Sequence, residues 1–423
     1  MFEKSVLHNG LRVLSAPMPQ ALSVTVAILF GAGSRHEDNE SAGVSHLLEH
    51  MCFKGTTHRP TPIEISETIE GVGGLMNAST DYESTRYWCK VARSHLKTAV
   101  ELLADMTQHS QILAEELEKE RQVVLEELAM SNDVPSARVD ALISRVMWPD
   151  QPLGRDIGGT KESVQALKRN TVLDYWNQQY TSNNAVLVVA GDVTHDDVID
   201  LAQKNFGDWK PLANRDLFPA QDNQSDPRFE VEYWRSDQAH ICLGVKGISS
   251  GSPDRYKLGM LNTILGEGMS SRLFVELRER QGLAYEVQSS LTHLKDCGEM
   301  VVYAGVAPKN AEKAISGILQ ELSRLRDDVP ADTLEKSRRF SKGRTLLRME
   351  DTRSVAGWVG GQELLLGEVL TVEEAMRRVD EVTASDVQEM AQKLFVDSKL
   401  NLAVVGPFRG DRAQKRLGNL LKL

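Results

Sequence analysis

The sequence predicts an α+β fold of two tandem homologous units, each an antiparallel sheet covered on one face by helices. Three observations predict it. Hairpin-like strands occur together with long amphipathic helices, a mix that suits an antiparallel sheet backed by helices. The strand-and-helix pattern occurs twice at a spacing of half the chain. A polar stretch containing Pro219 and Pro227 separates the two copies.

Residues 23–30, SVTVAILF, read as a half-buried strand with Val24, Val26, Ile28 and Phe30 on one face. Residues 238–245, QAHICLGV, repeat that pattern with Ile241, Leu243 and Val245. A Gly/Ser-rich turn and a helical stretch follow each copy. HLKTAVELLADMTQ (95–108) and LEKERQVVLEELAM (117–130) carry apolar residues at helical spacing. Near the end of each half, a helix opened by Thr171 or Thr383 precedes a buried strand, AVLVVAGDV at 185–193 and LNLAVVGPF at 400–408. The two threonines are 212 residues apart and Gly191 and Gly406 are 215 apart, half of the 423 residues, which implies a tandem duplication. The linker falls within 213–228, dividing the chain into a unit at 1–215, a linker at 216–228 and a unit at 229–423.

Composition excludes several classes. With 41% hydrophobic and 26% charged residues the chain matches an ordinary globular protein. A net charge of −11, from 60 acidic and 49 basic residues, argues against a nucleic-acid partner. No apolar run approaches the ~18–20 residues of a membrane span. The opening MFEKSVLHNGLRVL reads as a strand and not as a signal peptide, so a cytoplasmic location is expected. Cys52, Cys89, Cys242 and Cys297 form no CxxC pair, which favours packed thiols over a disulfide framework.

SAGVSHLLEHMCFKGT, residues 41–56, is the most informative stretch. It holds His46, Glu49 and His50 as HxxEH. On a helix capped near Asn39 or Ser41, Glu49 lies about −60° and His50 about +40° from His46, so all three share one arc. Two imidazoles at that spacing can grip one zinc ion while the carboxylate reaches a water, the inverse of the HExxH arrangement. The bland alternative is a solvated polar face. The apolar flanks Val44, Leu47, Leu48, Met51 and Phe53 oppose it, because a buried His-Glu-His group needs a compensating partner. Cys52, about −120° from His46, faces away and belongs to the core. Two histidines leave a catalytic zinc one protein ligand short. Glu120 and Glu127, two turns apart, share a face of the later helix, and Glu126 is about 100° off it. Spacing alone leaves Glu126 and Glu127 both open as the third ligand.

HLLEHMCFKGT, with ERQVVLEEL 70–80 residues later, resembles the pitrilysin family of zinc peptidases, the inverzincins. The length is similar to that of its mitochondrial processing peptidase branch and that branch's bacterial relatives. The resemblance implies zinc, one per chain, held by His46, His50 and Glu127, with Glu49 as general base and Glu120 behind the ligands. It also implies that GGLMNAST (73–80) is an edge strand taking the substrate backbone at Asn77 and Ala78, an arrangement that β-strand addition would allow. In LRERQGLAYEV (277–287), Arg278 and Tyr285 match an Arg-Tyr pair that steadies the substrate carbonyl or the transition state. The copy of the motif in the second half, LGMLNTILG (258–266), has no histidine or carboxylate, so only the first unit is expected to hold metal. Relatives pair two chains around a closed chamber. A homodimer acting on peptide substrates is therefore expected, with a heterodimer of related chains as the other arrangement and no nucleic acid or membrane partner. The stretch LGEGMSSRLF (265–274) departs from the long glycine-rich loop of the processing peptidase's noncatalytic partner. The competing functional class is a noncatalytic scaffold or partner-dependent subunit.

Overall fold

The computed structural model of the chain describes residues 2–213 and 216–423. Residue 215, the expected end of the first unit, and residues 214–215 of the expected linker stretch lie outside the described residues.

The first sheet is built from β1 (Glu3–Val6), β2 (Arg12–Pro17), β3 (Ser23–Phe30), β4 (Leu75–Thr80), β5 (Thr85–Ala92) and β6 (Ala185–Gly191), ordered β1-β2-β6-β3-β5-β4. The second contains β7 (Arg228–Tyr233), β8 (Ala239–Lys246), β9 (Ala284–His293), β10 (Gly298–Val306) and β11 (Asn401–Gly406), ordered β7-β11-β8-β10-β9. Both are mainly antiparallel, with one parallel pair each, β2–β6 and β7–β11. Parallel neighbours need a long crossover, and here the intervening helices supply it. In sequence order the two sheets are variations on one plan, with β4 and β9 at corresponding edges.

In the first unit, Val24, Val26, Ile28 and Phe30 of β3 pack on one face with Val44, Leu47, Leu48 and Met51 of the helix Val44–Met51 and with Val100, Leu103 and Met106 of the helix Leu96–Gln108. The strand is not half-buried, as its pattern suggested. Its other face, Thr25, Ala27 and Leu29, is covered by Ala356 and Val359 of the helix Thr352–Leu366. Gly360 permits that approach, since a Cβ there would stand 2.8 Å from Leu29 Cδ1 and 2.9 Å from Val188 Cγ2. Thr25 is satisfied in this second layer by Thr352 Oγ1 at 2.8 Å.

The compact units therefore run across the boundary expected at 216–228. One comprises Met1–Leu128, Asp156–Phe218 and Leu346–Thr371, and the other Ala129–Arg155, Pro219–Thr345 and Val372–Leu423. Each half of the chain lends a helix to the other half's sheet. In the second unit the lent helix is Pro135–Met147, where Asp140 accepts from Cys242 Sγ of β8 at 3.3 Å and Arg138 forks onto Glu232 of β7. Of two local expectations, one shifts and one holds. The helix at Thr171 begins earlier, at Arg169, because Lys168 takes the extended cap position. Thr383 does cap its helix, Ala384–Leu394, in a reciprocal box with Asp386.

Candidate metal centre

The segment carrying HxxEH is helical over Val44–Met51, and its cap is Gly43, not Asn39 or Ser41. Gly43 has φ +92°, and a Cβ would meet Gly158 O at 2.5 Å, so only glycine fits the entry to this helix. The buried Glu37 carboxylate does the work of a cap from six residues upstream, accepting from Gly43 N and Ser45 N at 2.8 Å each. A negative group on the free amides of a helix start is favourable. The apolar side of this helix is fully buried and sets the direction in which the polar side faces.

That polar side meets the helix Ala114–Asp133. His46 Nε2 lies 3.8 Å and His50 Nε2 3.6 Å from Glu127 Oε2, and ligand atoms of the three residues fall within 4.8 Å of one another. The imidazoles stand edge to face, 4.7 Å apart. Glu126, which spacing had left open, does not join this group; Glu127 does. Burial, reinforced by the nearby His50, pushes the His46 pKa down to about 4, so its imidazole is neutral at physiological pH, the state a metal needs. His50 Nδ1 lies 3.1 Å from Glu120 Oε2. An ionised carboxylate only accepts, so His50 donates from Nδ1 and turns Nε2 towards the centre. Glu120 is buried and its other oxygen pairs with Lys54 Nζ at 2.7 Å. These donors fit a zinc ion: two imidazoles and a carboxylate converge, and one imidazole is held from behind by a carboxylate.

Glu49 shares the helix face but not the ligand cluster. Its Oε2 accepts from Thr80 Oγ1 at 2.5 Å. Burial, with the charge of Glu127, outweighs that bond and the pull of His50 and raises its pKa. Cys52 is buried in the core, where desolvation lifts its thiol to about 12.

Residues 12–161 match the family model described as insulinase (peptidase family M16), and residues 166–340 match the peptidase M16 inactive domain. The chain is 35% identical to the uncharacterized zinc protease YmxG of Bacillus subtilis over 96% of this chain and 98% of that one. The chain belongs to peptidase family M16, the pitrilysin family. It is also 34% identical to the uncharacterized zinc protease SCO5738 of Streptomyces coelicolor, over 97% of this chain and 91% of that one. The crystal structure of a protease from Helicobacter pylori superposes with a TM-score of 0.90 at 26% identity, covering 96% of this chain and 99% of the other.

Within this M16 chain, Asn77 and Ala78 lie on β4, an edge strand of the first sheet, which among the described residues pairs only with β5. Asn77 Oδ1 accepts from Ala78 N at 2.7 Å. Arg278 and Tyr285 lie together in the second unit, on the helical turns Phe274–Arg280 and at the start of β9. The Arg278 guanidinium stands 5.5 Å from the Tyr285 ring and 4.7 Å from the Phe274 ring, and Tyr285 is 77% exposed. The equivalent of the metal helix, Arg255–Gly266, holds no histidine or carboxylate. Sequence reasoning missed Glu37, Lys54 and Thr80. Thr80 closes the very stretch singled out as an edge strand, but only the pairing of strands and helices shows what its hydroxyl meets. Among the described residues no helix is long and apolar enough to cross a membrane.

Proposed function

We propose that this chain is a zinc-dependent endopeptidase that hydrolyses peptides or unfolded polypeptide segments. The observation that carries the reading is the convergence of His46, His50 and Glu127, with Glu49 beside them and outside the ligand cluster. The zinc protease names of relatives matched over nearly their whole length support zinc as the ion, and we read one per chain from the single cluster found among the described residues. Bacterial relatives of matching length support a bacterial-type member, and we assign it to the processing-peptidase-like branch.

A zinc ion held by those three residues supplies Lewis acidity, lowering the pKa of a water to about 7 and polarising a carbonyl. The residues of the chain do the rest. An extended peptide adds to the free edge of β4 near Asn77 and Ala78, where main-chain hydrogen bonds hold it without demanding particular side chains. Glu49 takes the proton of the attacking water and returns it to the nitrogen of the leaving amine, a role suited to a carboxylate whose pKa burial has raised. Glu120 keeps His50 in its donor tautomer. Arg278 and Tyr285 donate to the carbonyl oxygen as negative charge develops on it. In our reading two copies of the chain enclose the substrate in a chamber, and the pair from one copy completes the site of the other. The thiols of Cys52, Cys89 and Cys242 are buried in the fold outside any disulfide, which suits a reducing compartment, and we assign the enzyme to the cytoplasm.

The test is a quenched peptide library incubated with the purified chain before and after chelation, with elemental analysis of the same preparation. Cleavage and zinc are expected to disappear together and return on adding zinc. Undiminished cleavage by metal-free protein would sink the reading. Bound zinc with no cleavage would instead favour the scaffold or partner-dependent alternative.

A further inference from the structure

Glu49 sits on the short helix Val44–Met51 with a long, rotatable side chain. A hydrogen bond that fixes its carboxylate comes from the sheet. Thr80, the last residue of β4, donates from Oγ1 to Glu49 Oε2 at 2.5 Å. Its own position is rigidly set. Thr80 faces Thr85 in the β4–β5 register, Thr85 is buried and bonds Ala32 O at 2.9 Å, and the turn beyond is closed by Asp81 N donating to Ser84 O at 2.8 Å. The Thr80 main chain also bonds the Glu49 carboxylate, so the end of the strand holds it through backbone and hydroxyl together.

Asn77 and Ala78 lie three and two residues upstream on the same strand. One rigid strand thus carries both the proposed backbone-binding edge and the hydroxyl that aims the base. We propose that Thr80 is a positioning residue: it orients Glu49 and ties the base to the strand on which the peptide is registered. The proposal rests on the hydrolase reading for its kinetic consequence, but the placement of Glu49 by Thr80 can be examined without it. A misplaced catalytic group costs rate even when binding is intact, because geometry and not affinity has been lost. Removing the hydroxyl while keeping the branched shape isolates that effect.

The experiment compares the full-length, zinc-loaded chain with Thr80→Val and Thr80→Ser. For Thr80→Val, kcat should fall about 10–100-fold with KM within about twofold of the unsubstituted chain, the signature of a contact that matters in the transition state. Zinc content should be unchanged, and Thr80→Ser, which restores the donor, should recover kcat to within about threefold. A Thr80→Val chain with undiminished kcat, a defect confined to KM, or a Thr80→Ser chain as impaired as Thr80→Val would overturn the proposal. Crystal structures of the same chains give a readout independent of turnover. Glu49 should occupy one rotamer with Thr80 or Ser and leave it with Val; an unmoved Glu49 in Thr80→Val overturns the proposal whatever the kinetics show. If the unsubstituted chain binds zinc and cleaves nothing, the hydrolase reading fails on its own, and the crystallographic comparison still decides the role of Thr80.

Discussion

The helix after β3 and the helix after β8 hold the same place in the plan of their own sheets, yet Val44–Met51 leaves His46, Glu49 and His50 partly open, whereas Arg255–Gly266 is buried over most of its length. A shift of 213 residues sets Gly259, Asn262 and Thr263 where the first unit has its two histidines and glutamate. Asn262 Nδ2 and Thr263 Oγ1 both donate to Glu267, at 3.2 and 2.8 Å, so these two donors are spent close to home, while Asn262 Oδ1 is buried without a partner. In the first unit the side chains instead point at a second helix. The two long helices differ in kind as well: Ala114–Asp133 offers Glu120 and Glu127, whereas Ala331–Arg348 carries Arg338, Arg339, Lys342 and Arg344 along its middle. The contrast teaches that the framework itself does not call for a metal. A donor bonded to the end of its own helix is spent on the fold, and one held open towards another element is available for chemistry.

The sharpest way to break this contrast is Glu49→Gln. Loss of a general base costs about 10²–10⁴ in rate, so peptide cleavage should fall by that much while elemental analysis finds the zinc unchanged. Full turnover by this variant would remove Glu49 from the mechanism. Glu120→Gln probes the layer behind the ligands. Zinc affinity, measured by competition with a chromogenic chelator, should weaken about 10–100-fold because His50 loses its charged acceptor; an unchanged affinity would reduce Glu120 to a packing role.

Acid sharpens the contrast further. His46 titrates near 4 in the folded metal-free chain, below its ordinary value of 6.5, because burial and then the His50 charge oppose protonation. Between those values the unfolded chain binds more protons than the folded one, so stability falls as pH drops through that window. The melting temperature of the metal-free chain should decline from pH 6.5 towards 4, and His46→Gln should flatten the decline; equal slopes would discount His46 as the cause. The smallest effect belongs to the second unit. Thr263→Val removes one donor to Glu267 and should cost about 1 kcal/mol in denaturant unfolding. Zinc content and cleavage should not change, and a loss of either would mean that the second unit takes part in the metal chemistry.

Much of this was legible in residue order. His46, Glu49 and His50 face one way because any helix turns by a fixed angle per residue, and the apolar flanks state which side is buried. The duplication shows in Thr171 and Thr383 and in the paired strands 185–193 and 400–408. Other points were hidden for identifiable reasons. The reading of β3 as half-buried failed because Ala27 and Leu29 on its second face are covered by a helix more than 300 residues later in the chain. The cap of the metal helix was misread because Glu37 acts through space from an extended segment.

From residue order alone come the metal motif, its helix and the two-fold repetition, all of which rest on spacing within a short segment or on comparing the chain with itself. Folding in three dimensions made the remaining choices: Glu127 rather than Glu126 beside the histidines, Glu120 and Lys54 behind His50, Thr80 against Glu49, and the exchange of helices between the halves. Each depends on how far apart two elements come to rest and how they are rotated. Those quantities are set by the packing of whole apolar faces, and no local run of residues contains them.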